Sequence, residues 1–194
     1  LDIHNIGSFS EREDAVVEIL RTVGLTPPEN YMSRYPHEIS GGQRQRVSIA
    51  RTLVMKPKFV VCDEPTSMLD VSIRISIMDL MLNLAKELDV SYLYITHDLA
   101  VARYMCNRIA VMFNGKIVEI AETEELLNNP IHPYTKRLIS SIPIPDPSYK
   151  RERYEMNFDE LDNIIQNNPN EKMVNIGSEH FVATHETKDF FIES

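Results

Sequence analysis

Two short apolar runs, Phe59-Val60-Val61-Cys62 and Tyr92-Leu93-Tyr94-Ile95, each end in a polar triplet, Asp63-Glu64-Pro65 and Thr96-His97-Asp98. The first run, bounded by Pro57 and Pro65, is too short for a globular helix and predicts a strand buried on both faces, as in a parallel sheet. Between the runs lies a long segment opened by Asp70, in which Met78, Met81, Leu82 and Ala85 keep the i, i+3, i+4, i+7 spacing of one buried helix face. Strand, helix and strand in this order make a right-handed parallel crossover. Both polar triplets then emerge at one sheet edge, the carboxyl end of the strands, where open α/β sheets bind ligands.

The residue types at that edge suit phosphate chemistry. An acid such as Asp63 can hold Mg²⁺ directly or through water, and its neighbour Glu64 can orient or deprotonate an attacking water. His97 can contact a phosphate or polarise a water. Each has a plainer alternative: a solvated loop for Asp63 and Glu64, a surface or capping role for His97, an N-cap for Asp70.

A second anion-binding layout lies upstream. Ser40-Gly41-Gly42-Gln43 precedes a run with helical apolar spacing, Val47, Ile49, Ala50, Leu53 and Val54. Ser40 is a good N-cap, and two glycines let the backbone approach a ligand with no Cβ in the way. The unpaired N–H groups and the positive dipole end of the helix suit a phosphate, although Ser-Gly-Gly also builds ordinary loops.

With these elements in place, the chain resembles the nucleotide-binding subunit of ATP-binding-cassette transporters. Ile39-Ser40-Gly41-Gly42-Gln43 matches the family signature, with Ile for the usual Leu, and Arg44-Gln45-Arg46 continues it. Phe59 to Glu64 is similar to the second Walker motif with its catalytic glutamate, Ser67-Met68-Leu69-Asp70 to the D-loop, and His97 to the switch histidine. Order and spacing agree over roughly residues 30 to 120. The resemblance implies ATP and Mg²⁺ as cofactors, in the full-length dimer. Asp63 would help hold Mg²⁺, Glu64 would act on the attacking water, and His97 would sense the γ-phosphate. Asp70 would carry contacts across a dimer interface, and Ser40, Gly41, Gly42 and Gln43 would bind the γ-phosphate of ATP held by a partner subunit.

A P-loop, Gly, four residues, then Gly-Lys-Ser/Thr, is missing from the sequence. Of the 6 glycines, only Gly115 precedes a lysine, and Ala110 and Ile117 occupy the positions where the motif needs Gly and Ser or Thr. Asn114-Gly115 instead separates Arg108 to Phe113 from Lys116 to Ala121, the pattern of a tight hairpin. The expectation is therefore a C-terminal portion of a longer subunit, lacking the first strands, the P-loop and the Q-loop.

The expected fold is α/β: a partial P-loop NTPase-type cassette, a parallel sheet with flanking helices, with a helical subdomain and a C-terminal extension. Its expected boundaries are 1–56 for the helical subdomain with the signature, 57–121 for the α/β core, and 122–194 for the extension. In the first, Ser10 with Glu13 predicts a capping box, Val16, Ile19, Leu20 and Val23 one apolar face, and Gly24 with Pro27-Pro28 the stop. Tyr31 to His37 would form its surface approach to the phosphate site.

In the extension, Asn129-Pro130-Ile131-His132-Pro133-Tyr134-Thr135-Lys136 is similar to the His-Pro-Tyr extension of oligopeptide and dipeptide importer ATPases, a branch that also includes nickel importers. Physically it reads as a short helix with Pro133 in its first turn, followed by a stiff linker at Pro143, Pro145 and Pro147. His132 reads as a packing or capping residue rather than a metal ligand. Residues 151 to 172 are polar and acidic, with a short amphipathic stretch at Phe158, Leu161, Ile164 and Ile165, and are expected to be mobile or lightly packed. His180 to Ala183 predict a late strand.

Charge and cysteines fit this reading. The net charge of −9 argues against a nucleic-acid surface, Arg44, Arg46 and Arg51 forming only a local basic face. Cys62 and Cys106 imply a reducing compartment without a disulfide framework. No apolar stretch reaches the roughly 20 residues that span a bilayer. The expected partners are a second cassette ATPase subunit, identical or related, membrane permease subunits and, indirectly, an extracytoplasmic substrate-binding protein. The expected place is the cytoplasm, on the inner face of the cell membrane. Two other readings stand beside the importer ATPase: a catalytically silent interaction fragment, and a cassette ATPase without a transport role.

Overall fold

A computed structural model describes residues 1–142, 163 and 172–184. The chain folds as two units that divide between His97 and Asp98. In the first, α1 (Phe9–Thr22), the short α2 (Glu29–Met32), a 3₁₀ turn (Pro36–Glu38) and α3 (Gly41–Leu53) precede the crossover. The crossover itself is β1 (Phe59–Asp63), α4 (Val71–Glu87) and β2 (Ser91–Ile95). β1 and β2 pair in parallel, from Phe59 opposite Ser91 to Asp63 opposite Ile95.

The first-unit core is built from Leu20, Val23 and Leu25, Ala50 and Leu53 of α3, Val60 of β1, Leu84 of α4, and Val90. These residues lie on one face of the strand pair, because successive strand side chains alternate. The other face stays open: Phe59 is 58% exposed and Val61 56%, with Leu93 and Ile95 also exposed. The expectation of a strand buried on both faces is therefore corrected among the described residues. The apolar residues of β1 serve two faces, and the helices cover one.

Two local expectations also shift. The capping box of α1 is made by Ser8 and Glu11, not Ser10 and Glu13: Ser8 N–H donates to Glu11 Oε2 at 2.7 Å, and Glu11 N–H donates to Ser8 Oγ at 3.4 Å. Both serines satisfy the Ser-x-x-Glu spacing in Ser8-Phe9-Ser10-Glu11-Arg12-Glu13, and the one two residues earlier wins. On α4 the buried stripe is Ile77, Met78, Met81 and Leu84, with Leu82 and Ala85 at its margin. Gly24, with φ of 76°, ends the first helix as expected.

The second unit comprises α5 (Leu99–Met105), β3 (Arg108–Phe113), β4 (Lys116–Glu122), α6 (Thr123–Asn128), α7 (Pro133–Ser140), β5 (Lys172–Asn175) and β6 (Phe181–Thr184). Its sheet is antiparallel in the order β3-β4-β6-β5. Asn114 and Gly115 both have positive φ, 44° and 80°, as a two-residue hairpin turn of the I′ kind requires. Ile109, Val111, Val118, Ala121 and Leu126 form the core, against which Tyr134, Leu138 and Ile139 of α7 pack. His132 is fully buried and caps α7, its Nδ1 accepting from Tyr134 N–H at 3.2 Å, and Pro133 follows at the first helical position. The expected late strand is β6, and β5 at Lys172–Asn175 is an addition to it. The proline linker and the Phe158 to Ile165 stretch lie outside the described residues. No helix among the described residues is long and apolar enough to cross a membrane.

Candidate functional site

At the carboxyl edge of the β1–β2 pair, the chain leaves β1 through Glu64, whose φ of 42° is rare for a residue with a Cβ. Several hydrogen bonds hold that geometry. Glu64 N–H donates to Ile95 O of the neighbouring strand at 3.0 Å, while Glu64 O accepts from Ser67 N–H at 3.2 Å and Ser67 Oγ at 3.0 Å. Thr66 Oγ1 and Tyr94 Oη, 3.0 Å apart, tie the following turn to β2. Backbone strain persists where the surroundings over-determine it, and it concentrates at functional sites.

The result is a carboxylate aimed at an imidazole. Glu64 Oε1 lies 2.7 Å from His97 Nδ1, although 33 residues separate them in sequence. An ionised carboxylate only accepts, so Nδ1 carries the proton and Nε2 is left for another partner. The pair is open to solvent, with side-chain exposures of 41% for Glu64 and 77% for His97. Asp63, the last residue of β1, is exposed beside it.

The Ser40 tetrad forms the first turn of α3. Ser40 Oγ accepts from Gln43 N–H at 3.3 Å and Gln43 Oε1 accepts from Ser40 N–H at 3.0 Å, a complete capping box. Gln43 Nε2 donates to Tyr31 Oη at 3.4 Å, a tie from the approach segment that spacing did not show. The first-turn N–H groups at Gly41 and Gly42 have no acceptor within their own helix. The two glycines differ in what they permit. A Cβ on Gly42 would sit 2.8 Å from Ile73 Cγ2 of α4, whereas one on Gly41 would meet only Leu69 Cδ2 at 3.7 Å. The close approach that Gly42 allows is thus to a helix of the same unit.

A cleft of about 470 Å³ runs between α3 and the end of β1, lined by Gly41, Arg44 and Ser48 on one side and Cys62, Asp63, Glu64 and Met68 on the other. The structure therefore brings Gly41, Asp63 and Glu64 to one cleft. Ser40, Gly42, Gln43, Asp70 and His97 are not among the residues that line it. Asp70 stands at the N-cap of α4, but its carboxylate makes no capping hydrogen bond. Burial pushes the Cys62 thiol up to about 11 and, with Cys62 beside it, the Tyr92 hydroxyl up to about 12. The basic face needs correction: Arg46 turns inward and donates to Val23 O at 2.6 Å and Ser76 Oγ at 3.0 Å, while Arg44 lines the cleft. Residues two apart on a helix point about 200° apart, so Arg44 and Arg46 could not share one face.

A strand-end carboxylate, an adjacent acid, a histidine from the next strand and a glycine-led helix N-terminus define a cassette-type nucleotide-binding class. Comparison with known proteins agrees. Residues 3–67 match the family model for ABC transporter, and residues 118–172 match that for the oligopeptide/dipeptide transporter C-terminal region. The oligopeptide transport ATP-binding protein OppF of Bacillus subtilis is 45% identical over 189 residues, 97% of this chain and 61% of that protein. The oligopeptide transport ATP-binding protein AmiF of Streptococcus pneumoniae is 56% identical over 143 residues, 74% of this chain and 46% of that protein. Among solved structures, the ADP conformation of MJ1267, an ATP-binding cassette of an ABC transporter, aligns with a TM-score of 0.58 at 26% identity, covering 71% of this chain and 53% of that one. The chain belongs to the ATP-binding-cassette family, in the branch with the oligopeptide/dipeptide C-terminal region. It spans about half to three-fifths of the curated relatives it matches.

Proposed function

We propose that this chain acts within the ATP-hydrolysing subunit of an importer, coupling ATP turnover to the uptake of oligopeptides or dipeptides through a membrane permease. The observation that carries this reading is the 2.7 Å contact of Glu64 with His97 at the carboxyl edge of β1 and β2. The donor set fits the implied cofactors. Asp63 offers an exposed hard oxygen of the kind Mg²⁺ takes, and the Gly41 end of α3 offers amides and a positive dipole end to phosphate. Bound Mg²⁺ supplies charge neutralisation at the phosphates.

The chain's own groups divide the remaining work. Glu64 accepts a proton from, or orients, the water that attacks the terminal phosphoryl group, and His97 holds the Glu64 carboxylate in place while its Nε2 meets the phosphate. Asp70 lies where a second cassette would dock, and Ser40, Gly41, Gly42 and Gln43 serve the nucleotide held by that partner. On this reading the subunit works beside a permease at the inner membrane face, with a substrate-binding protein further along the path.

In the complete subunit paired with its partner cassette, Glu64→Gln should leave ATP binding largely intact and lower steady-state turnover by on the order of 10²-fold or more. Near-normal turnover in that variant would sink the assignment. A second reading, an interaction module without catalysis of its own, is favoured for these 194 residues alone by the missing P-loop.

A further inference from the structure

A buried carboxylate in the second unit has no part in the chemistry above. Glu119, on β4, is fully buried, and both its oxygens are taken. Oε1 accepts from Ile131 N–H at 2.8 Å and lies 2.7 Å from His180 Nε2; Oε2 accepts from His132 N–H at 3.0 Å. The partners come from two separate stretches of chain. Ile131 and His132 form the entry to α7, where His132 also caps the helix at Tyr134 N–H. His180 leads into β6, and its side chain is 2% exposed.

Val182 and Ala183 of β6 are buried, but the other polar ties of the β5–β6 hairpin are few. β6 pairs with β4 at only two positions, Glu119 opposite Val182 and Ile120 opposite Phe181. Arg108 reaches Glu179 at 3.4 Å, but both side chains are exposed, so that pair contributes little. Glu125 Oε1 lies 3.6 Å from His180 Nδ1, too far for a hydrogen bond. The Glu119–His180 contact is thus the one buried side-chain hydrogen bond described between the hairpin and the rest of the unit, beside the backbone pairing of β6 with β4.

We propose that Glu119 is the hub of a clasp that couples the docking of the 172–184 hairpin to the seating of α7, so that the two are held or released together. The physical ground is the cost of a buried charge. With three donors Glu119 is well compensated; with His180 withdrawn it keeps two, and the remaining balance favours letting water in. Water admitted to Glu119 competes for its bonds to Ile131 and His132, which loosens the start of α7. The reverse also holds, since coupling between two sites is reciprocal. A partner that pulls on the hairpin therefore acts on the Pro133-led helix without touching it.

Amide hydrogen exchange on the full 194-residue chain tests this. His180→Ala should speed exchange about 10-fold or more at Ile131 and His132, whose amides His180 does not contact, as well as across 172–184. Arg108→Ala, which removes only the exposed tie, should leave Ile131 and His132 protected. His180→Gln, which keeps a side-chain N–H donor, should recover much of that protection. If His180→Ala frees 172–184 while Ile131 and His132 stay protected, the coupling is overturned. If His180→Ala unfolds the unit, the Gln variant decides: a docked hairpin with unprotected Ile131 and His132 would equally refute the clasp.

Discussion

Gly41 and Gly42 stand next to each other in a motif where both are expected to serve a ligand, yet only one is needed by the fold. A methyl group at position 42 would press into Ile73, which sits on the helix packed against α3, and overpacking of this kind costs about 1–3 kcal/mol. A methyl at position 41 meets an ordinary contact distance. Thermal unfolding of the chain without nucleotide should show a lowered Tm for Gly42→Ala and little change for Gly41→Ala; equal losses would contradict this packing. Cys62 gives a second residue-scale expectation. Its thiol is raised by burial from 9.0 to about 11, so between those values the unfolded thiol ionises while the folded one holds its proton. The folded state binds more protons there, so the Cys62 contribution is fully present below about pH 9 and is lost as pH rises towards 11. Tyr92, raised from 10.0 to about 12, acts in the same direction at higher pH. A Tm series across pH 8–11 should fall more steeply for the parent chain than for Cys62→Ala, and parallel curves would exclude the effect.

At the scale of elements, β1 and β2 expose a row of apolar residues, Phe59, Val61, Leu93 and Ile95, on the face their helices do not cover. Contiguous exposed apolar surface binds hydrophobic dyes. The 194-residue chain should therefore enhance the fluorescence of anilinonaphthalene sulfonate under native conditions, and the double variant Val61→Thr, Leu93→Thr should cut that signal several-fold. An unchanged signal would place the dye elsewhere. The same strands show what could be read from the sequence. Their existence, order and parallel pairing followed from two apolar runs around a helical segment, and the Asn114-Gly115 hairpin from its turn residues, because those signals are local. The covered face of β1 was not legible, since a residue run does not say what packs on either side. The helix start at Ser8 rather than Ser10 turned on two overlapping motifs of equal local merit. The Glu64–His97 contact was legible only as a shared sheet edge. Its 2.7 Å geometry depends on the left-handed turn at Glu64 and on the Thr66–Tyr94 tie, neither of which leaves a sequence signal.

For the molecule as a whole, the question is what these residues accomplish without a phosphate cradle. In the proposed reading Asp63 would hold Mg²⁺, Glu64 would act as the base and His97 would orient it, and the Gly41 end of α3 supplies a helix dipole. None of these encloses a triphosphate in the way a Gly-rich loop with its lysine does, and no such loop occurs in the sequence. The net charge of −9 adds a general repulsion towards a polyanion that only local groups such as Arg44 oppose. Transition-state stabilisation in phosphoryl transfer comes almost entirely from positioning and electrostatics, so a site that cannot hold the phosphates cannot use its glutamate. The 194-residue chain by itself is therefore expected to bind Mg-ATP no more tightly than about millimolar, on the order of −4 kcal/mol, and to release no phosphate above background. Titration calorimetry and a phosphate-release assay measure both. Micromolar binding that competes with ADP, or turnover abolished by Glu64→Gln, would instead show that the cleft between α3 and β1 holds nucleotide on its own.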